Sequence, residues 1–192
     1  MSIEITIRPE KEKEFEKIDE LVKRSFREGT KSDGFDEMEL VHEIRASKYY
    51  IPELSFVAMN VDVIVGHFMF SHFPISKERD LGNYDKEIII TPTVLLAPVA
   101  VNADYFRQGI GSIMLNLRIE EVKKRGYIGI QVEGNPKFYN KLGFVTSSNY
   151  GIYPTTGYPM QYPECLMMQE TYEGSLNGIH GYVDYSMYEH AQ

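Results

Sequence analysis

TVLLAPVAVNADYFRQGIGSIMLNLRIEEVKKRGYIGIQVEGNPKFYNKLGF, residues Thr93 to Phe144, decides how this chain folds. It reads as an apolar strand, a glycine-containing turn, an amphipathic helix, a second strand and a short helix carrying Tyr139. Strand, helix and strand in succession predict a crossover between parallel neighbours. Val94 to Val101 is nearly all apolar, as a central strand requires. Pro98 in its middle lacks the N–H of a ladder, so it marks either an edge strand or a bulge. A bulged central strand would splay from its neighbour and leave backbone groups facing a ligand. Further on, Gly109 and Gly111 remove side chains where a chain turns tightly or approaches a ligand closely. The helix they open runs to about Arg125 and stops at Gly126, with Ile110, Met114, Leu117 and Val122 as its expected core stripe. Its first N–H groups carry the positive end of the helix dipole, and Arg107 adds charge beside them. That combination suits a phosphate, although two glycines at a helix start are equally consistent with plain helix entry. Tyr127 to Val132 predicts the second strand. Asn135 then caps a short helix with Pro136 in its first turn, and Gly143 closes it.

Upstream, Ile3 to Arg8 alternates apolar and polar residues and stops at Pro9, a strand pattern. Lys11 to Phe26 places Phe15, Ile18, Leu21, Val22, Ser25 and Phe26 at helical spacing, with Glu and Lys on the wet face. Gly29 to Gly34 has loop composition, and Asp36 is placed to cap a helix reaching Ser47, with Met38, Val41 and either Ile44 or Arg45 inward. Leu54 to Met59 and Val61 to Phe70 predict an antiparallel hairpin turning at Asn60 to Asp62. Pro74 to Asp85 reads as a surface loop, and Ile88 to Ile90 continues the sheet. Downstream, Tyr150 to Tyr162 is a loop rich in Tyr, Pro and Gly, suited to a pocket wall, a plain covering or a dimer contact. Glu164 to Glu170 predicts a strand, and Tyr182 to Tyr185 a short one. With no repeat, low-complexity tract or linker, residues 1–192 are expected to form one domain, with 172–192 as a C-terminal capping extension.

Composition excludes several classes. The 192 residues are 43% hydrophobic and 25% charged, within the range of globular domains. No apolar run approaches the ~18 residues of a bilayer span, and the charged N-terminus is unlike a secretory signal, so no membrane association is expected. A single cysteine, Cys165, cannot build a disulfide framework and suits a reducing cytoplasm. A net charge of −8 argues against nucleic acid as a partner. The five histidines lack metal-binding spacing, so no metal is expected. Cys165 within ECLMM reads as a buried small apolar residue rather than a nucleophile.

The succession of strand, RQGIGS, helix, strand and FYNKLGF resembles the GNAT superfamily of acyl-CoA-dependent N-acetyltransferases. IRPE, ELVHEIRAS, PELSFVA, LLAPVAVNADYFRQGIG and GIHGYVDY extend the likeness over most of the chain, towards the bacterial YhbS-like subgroup. The resemblance implies an α/β fold: a mixed sheet flanked by helices, whose fourth and fifth strands splay to admit acetyl-CoA. It implies that the backbone of Phe106, Arg107, Gln108, Gly109, Ile110, Gly111 and Ser112 holds the pyrophosphate. Val99, Ala100 and Val101 would lie along the pantetheine arm, with Asn135 and Phe138 beside it. It also implies Tyr139 as the general acid that protonates the leaving thiolate. The family motif opens with Gln or Arg three residues before its first glycine. This chain has Phe106 there, leaving polar contacts to Arg107 and Gln108. The family's Asn, seven residues before the tyrosine, is Val132 here.

The implied reaction is direct attack of a primary amine, on a small molecule or a protein or peptide, upon the acetyl thioester. A thiolate whose thiol has a pKa of about 8.5 can take a proton from an adjacent phenol of pKa about 10. A developing negative charge on oxygen needs a donor, which a backbone N–H near Val99 to Val101 would supply. No motif marks the base. Glu133, just after the second strand, is the candidate, while His67 and His72 read first as ordinary core or surface residues. Two alternatives remain open. One is a non-catalytic acyl-CoA-binding sensor or interaction module; the other takes the GIG turn as a nucleotide loop, without the Gly-Lys-Ser/Thr ending or a GxGxxG pattern. A homodimer is a further possibility.

Overall fold

The computed structural model describes residues 4–73, 75–77, 92–154 and 162–184. In chain order they form β1 (Thr6–Pro9), α1 (Phe15–Gly29), α2 (Phe35–Ala46), β2 (Ser55–Asn60), β3 (Val63–His72) and β4 (Thr93–Val101). There follow α3 (Ile110–Lys124), β5 (Gly129–Glu133), α4 (Pro136–Tyr139), β6 (Val145–Thr146), β7 (Ile152–Pro154), β8 (Leu166–Glu170) and β9 (Gly181–Val183). Seven strands make one mixed sheet in the order β1-β2-β3-β4-β5-β8-β6, and β7 pairs with β9 in a separate parallel ribbon. β4 and β5 are the parallel pair, joined by α3 as the crossover motif predicts. The predicted strand at 88–90, and the greater part of the loops at 74–85 and 150–162, lie outside the described residues.

Each face of the sheet carries its own apolar layer. On one, Ile18, Leu21 and Val22 of α1 and Val41 and Ile44 of α2 pack against Val57, Met69, Leu95 and Met168. On the other, Ile110, Met114, Leu115 and Val122 of α3 pack against Phe56, Phe68, Phe70, Leu96 and Ile130. Period-two alternation assigns the residues of each strand to these layers.

Several expected boundaries move, each for a local reason. Pro9 lies inside β1 rather than after it, tolerated because β1 is an edge strand. The first helix enters through a 3₁₀ turn at Glu12–Glu14 and continues to Gly29. Gly34, not Asp36, caps α2, and Asp33 Oδ1 accepts the Phe35 N–H. β5 begins at Gly129, not Tyr127, and β8 at Leu166 after a 3₁₀ turn that leaves Cys165 only half-buried. Leu117, expected in the core, is 52% exposed, and Leu115 is buried instead. The inner face of α3 is centred on Gly111 and Arg118, whose residue types hide it from an apolar pattern. Arg118 reaches the Ile7 carbonyl, and its guanidinium lies over the Phe56 ring at 5.3 Å.

A buried ionic cluster ties α2 and β3 to the end of β1, and its Arg45 also reaches α1, with Nη1 3.6 Å from Asp19 and the guanidinium over the Phe15 ring. Glu10 accepts from Arg45 Nε and Nη2 (3.1 and 2.7 Å), from Tyr50 Oη (2.9 Å) and from His67 Nε2 (2.9 Å). Burial alone would raise the Glu10 pKa, but the hydrogen bonds from His67 and Arg45 hold it well below the usual carboxylate range. Burial pushes the His67 pKa down, so its ring stays neutral and Nε2–H is the donor. Truncating Arg45 to Ala leaves Glu10 buried without its cation. Urea unfolding of Arg45→Ala is expected to show a loss of about 3–5 kcal/mol; a loss below about 1 kcal/mol would mean that the cluster is solvated.

Candidate active site

The second strand of the crossover leaves the first almost at once. β4 and β5 pair only over Thr93–Leu95 and Gly129–Gln131. On the other edge of β4, Phe68 pairs with Val99 but Phe70 with Leu96, so β4 spends one residue more than β3 between the two pairs. The extra residue is a bulge, and it falls at Ala97–Pro98, whose peptide bond is cis. The bulge reading of Pro98 holds, and the edge alternative falls because β4 is the middle strand of the seven. The bulge also swaps the strand's faces. Val94 and Leu96 pack with the α3 layer, yet beyond Pro98 it is Val99 and Val101 that do so, while Ala100 turns to the α1 layer.

A cavity of about 460 Å³ occupies the resulting gap. Its floor is Val99 and Val101; its ends are Tyr105 to Arg107 and Gly109 to Ser112 on one side and Asn135, Phe138 and Tyr139 on the other. Of the expected ligand-contacting residues, Ala100 and Gln108 are not in this lining. The bulge turns the Ala100 side chain into the opposite layer, and the Gln108 amide donates to the Asp104 carbonyl at 3.3 Å. The cavity also takes Ser25, Phe26, Gly29 and Thr30 from the end of α1, which sequence reasoning missed. Phe26 and Ser25 were legible only as a helix face directed inward.

The turn before α3 has unusual backbone. Arg107, a non-glycine residue, has φ 60°, and Gly109 has φ 80°. Left-handed residues next to right-handed ones curl successive N–H groups into a concave, anion-binding nest. Gly109 is the N-cap of α3, no side chain caps the helix, and no acidic residue stands in its first turn. The first N–H groups of a 15-residue helix are therefore directed at the cavity with no carboxylate to meet them. A Cβ on Gly111 would stand 3.3 Å from the Phe138 ring, so this position has room for backbone and little else.

Asn135 Oδ1 accepts the Lys137 N–H at 2.9 Å, as a cap should, and sets α4 at the cavity mouth. Tyr139 is 8% exposed, held edge-on between Phe138 (4.9 Å) and Phe144 (5.6 Å). A Cβ at Gly134 would come within 2.5 Å of its ring. Burial raises its pKa, so the phenol is protonated across the working range of pH. Glu133 ends β5 on the face opposite Ile130 and Val132 and is not among the lining residues. Its Oε2 is buried with no hydrogen-bond partner among the described residues, and burial pushes its pKa up to about 8. His67 belongs to the ionic cluster and His72 bonds Tyr127 Oη at 3.1 Å, as ordinary structural residues do. Among the described residues no group of His, Cys, Asp or Glu could hold a metal ion, and no helix is long and apolar enough to cross a membrane.

Comparison with known proteins bears on the same elements. Residues 52–146 match the profile described as "Acetyltransferase (GNAT) domain". The N-acetyltransferase YhbS of Escherichia coli K12 is 27% identical over 172 residues, covering 88% of each chain. The N-acetyltransferase YjhQ of the same strain is 28% identical over 148 residues, covering 73% of this chain and 74% of the relative. Among solved structures, E. coli YhbS in complex with CoA superposes with a TM-score of 0.77 at 23% identity, over 100% of this chain and 93% of that one. A GNAT acetyltransferase from Brucella melitensis in complex with acetyl-CoA gives 0.67 at 22% identity, over 94% and 95%.

The Glu133 carboxyl supplies a stability test. Its folded pKa near 8 exceeds its reference value of 4.5, so its contribution is intact below about pH 4.5 and is lost as pH rises through 8. Glu133→Gln removes that loss. Its Tm is expected to exceed that of the wild-type protein by several degrees at pH 9 and to equal it at pH 4. Equal Tm values at pH 9 would show a solvated carboxylate.

Proposed function

This chain is a GNAT-family acyltransferase, and we propose that it transfers an acetyl group from acetyl-CoA to a primary amine of a small molecule, a protein or a peptide. The observation that carries the proposal is the single cavity that gathers the uncapped start of α3, the bulged half of β4 and the buried Tyr139. The residues present fit a CoA molecule. The 106–112 turn offers N–H groups and the Arg107 guanidinium to a pyrophosphate, and the close approach at Gly111 excludes a competing side chain. Asn102 N–H donates to Val65 on β3, so by alternation the N–H groups of Val99 and Val101 point the other way, into the gap that β5 vacates. Peptide-like groups of an extended arm can pair there as a missing strand would.

When bound, acetyl-CoA supplies an activated acyl group as a thioester. The chain's own residues do the rest. Val99 and Phe138 flank the arm and exclude water. Tyr139 holds a proton at its phenolic oxygen, beside the floor of β4, for a departing sulfur. Burial disfavours a thiolate as it does a phenolate, so the raised Tyr139 pKa does not by itself prevent the transfer. Glu133, outside the cavity lining, accepts the amine's proton through water: a buried carboxylate with a pKa near 8 is matched to removing a proton from an ammonium at mildly alkaline pH. An apolar, uncharged cavity floor and a net charge of −8 favour an acceptor that arrives neutral or cationic. A reducing cytoplasm is the setting in which both CoA and the lone Cys165 are stable as thiols.

Steady-state kinetics on a panel of primary amines test these roles. Tyr139→Phe is expected to lower kcat by about 10²-fold or more with the KM for acetyl-CoA little changed. In the wild-type protein kcat/KM should rise with pH through about 8, because only the ionised Glu133 accepts a proton. Glu133→Gln should abolish that limb. Full turnover by Tyr139→Phe would remove the phenol from the mechanism; CoA binding without acetylation of any amine would favour a sensor.

A further inference from the structure

The hydroxyl of Ser25 stands where a ligand of the bulged strand should stand. Val101 N–H donates to Ser25 Oγ at 3.0 Å, across 76 residues of sequence. A helical serine ordinarily bonds the carbonyl four residues back, which here is Leu21; Ser25 instead reaches out of α1 to β4. Its partner is one of the two β4 N–H groups that point into the gap left by β5, and both residues line the cavity. Helix α1 cannot simply slide away to vacate the position. Arg24, one residue earlier, is bidentate to Asp104 (3.0 and 2.6 Å), and Gly29 packs close to the Phe106 ring.

We propose that Ser25 is a built-in competitor for the cofactor groove: its hydroxyl satisfies Val101 N–H while the groove is empty and must be displaced by the carbonyl of an incoming amide-bearing arm. This rests on the CoA reading above. Displacement needs only a χ1 rotation that breaks the bond to Val101, so the incoming carbonyl gains one hydrogen bond at the expense of another. The expected consequence is a moderated affinity, with quicker release of CoA than the same groove would allow without the hydroxyl. Val99, whose N–H has the same direction, has no such side chain reaching it among the hydrogen bonds of the described residues, so the competition falls on one rung.

Calorimetric titration of the wild-type protein and Ser25→Ala with CoA and with adenosine 3′,5′-bisphosphate tests the proposal. The bisphosphate has the nucleotide end but no arm. Ser25→Ala is expected to bind CoA about three- to ten-fold more tightly, the worth of one net hydrogen bond, with bisphosphate affinity unchanged. Hydrogen exchange at the Val101 amide should quicken in the unliganded variant. Unchanged or weaker CoA binding would overturn the proposal and leave the CoA reading standing, whereas a wild-type protein that binds no CoA would remove both. Should Ser25→Ala fail to fold, the wild-type protein still decides: CoA but not the bisphosphate is expected to shift the Val101 amide resonance, and no shift with CoA would refute the displacement.

Discussion

One extra residue in the middle strand governs this molecule. A proline cannot donate to a ladder, and at Pro98 the strand accommodates it by bulging. The direct results are geometric. β4 keeps its partner β3 on both sides of the bulge but loses β5 after three residues, and its faces exchange. A cavity with outward-facing N–H groups on its floor is what remains where a strand pair should have continued. A regular β4 would close that gap with ladder hydrogen bonds and leave no room for a ligand.

The walls of the gap depend on charges well away from it. α2 is fastened to the end of β1 and to β3 through Arg45, Glu10 and His67, nearly free of solvent, where hydrogen bonds outweigh the cost of burying the carboxylate, and Arg45 also reaches Asp19 of α1. Arg24 and Asp104 fasten the end of α1 to the turn that precedes α3. These two exposed side chains gain little energy from pairing, but two-point geometry fixes the distance between the cavity's walls. The ionic cluster and the surface pair differ in cost and serve one end: α1 stays in place while the gap stays open. On the far wall, Phe138, Phe144 and the close approach of Gly134 leave the Tyr139 ring little freedom. Preorganised groups of this kind need no reordering when a ligand arrives.

Sequence alone carried the crossover unit to nearly its full extent. Pro98, the two glycines at the start of α3, Asn135-Pro136 and Gly143 are punctuation with a fixed physical meaning, so their places were readable. The inner face of α3 was not, because Gly111 and Arg118 occupy its centre and Leu117, at its margin, fits the apolar pattern equally well. Nor did any local signal mark Arg107 as left-handed or Ala100 as turned away from the cavity; both follow from how the turn and the bulge are accommodated in three dimensions. The end of α1 joined the cavity through contacts spanning about 75 residues, beyond the reach of any short motif. Glu133 could be named from its position at the end of β5, but only burial and an oxygen unpaired among the described residues distinguish it from other glutamates.

The central claim is that the α3 turn receives an anion and the β4 gap its extended arm. Calorimetry with CoA on the wild-type protein and on Gly111→Glu addresses it most directly. The new side chain would enter the 3.3 Å approach to Phe138 and place a negative charge among the first N–H groups of α3. Saturable binding to the wild-type protein, weakened about 100-fold or more in a variant that keeps its circular dichroism spectrum, is the expected result. Equal affinities for the two proteins, or no binding by the wild-type protein at millimolar CoA, would contradict the account.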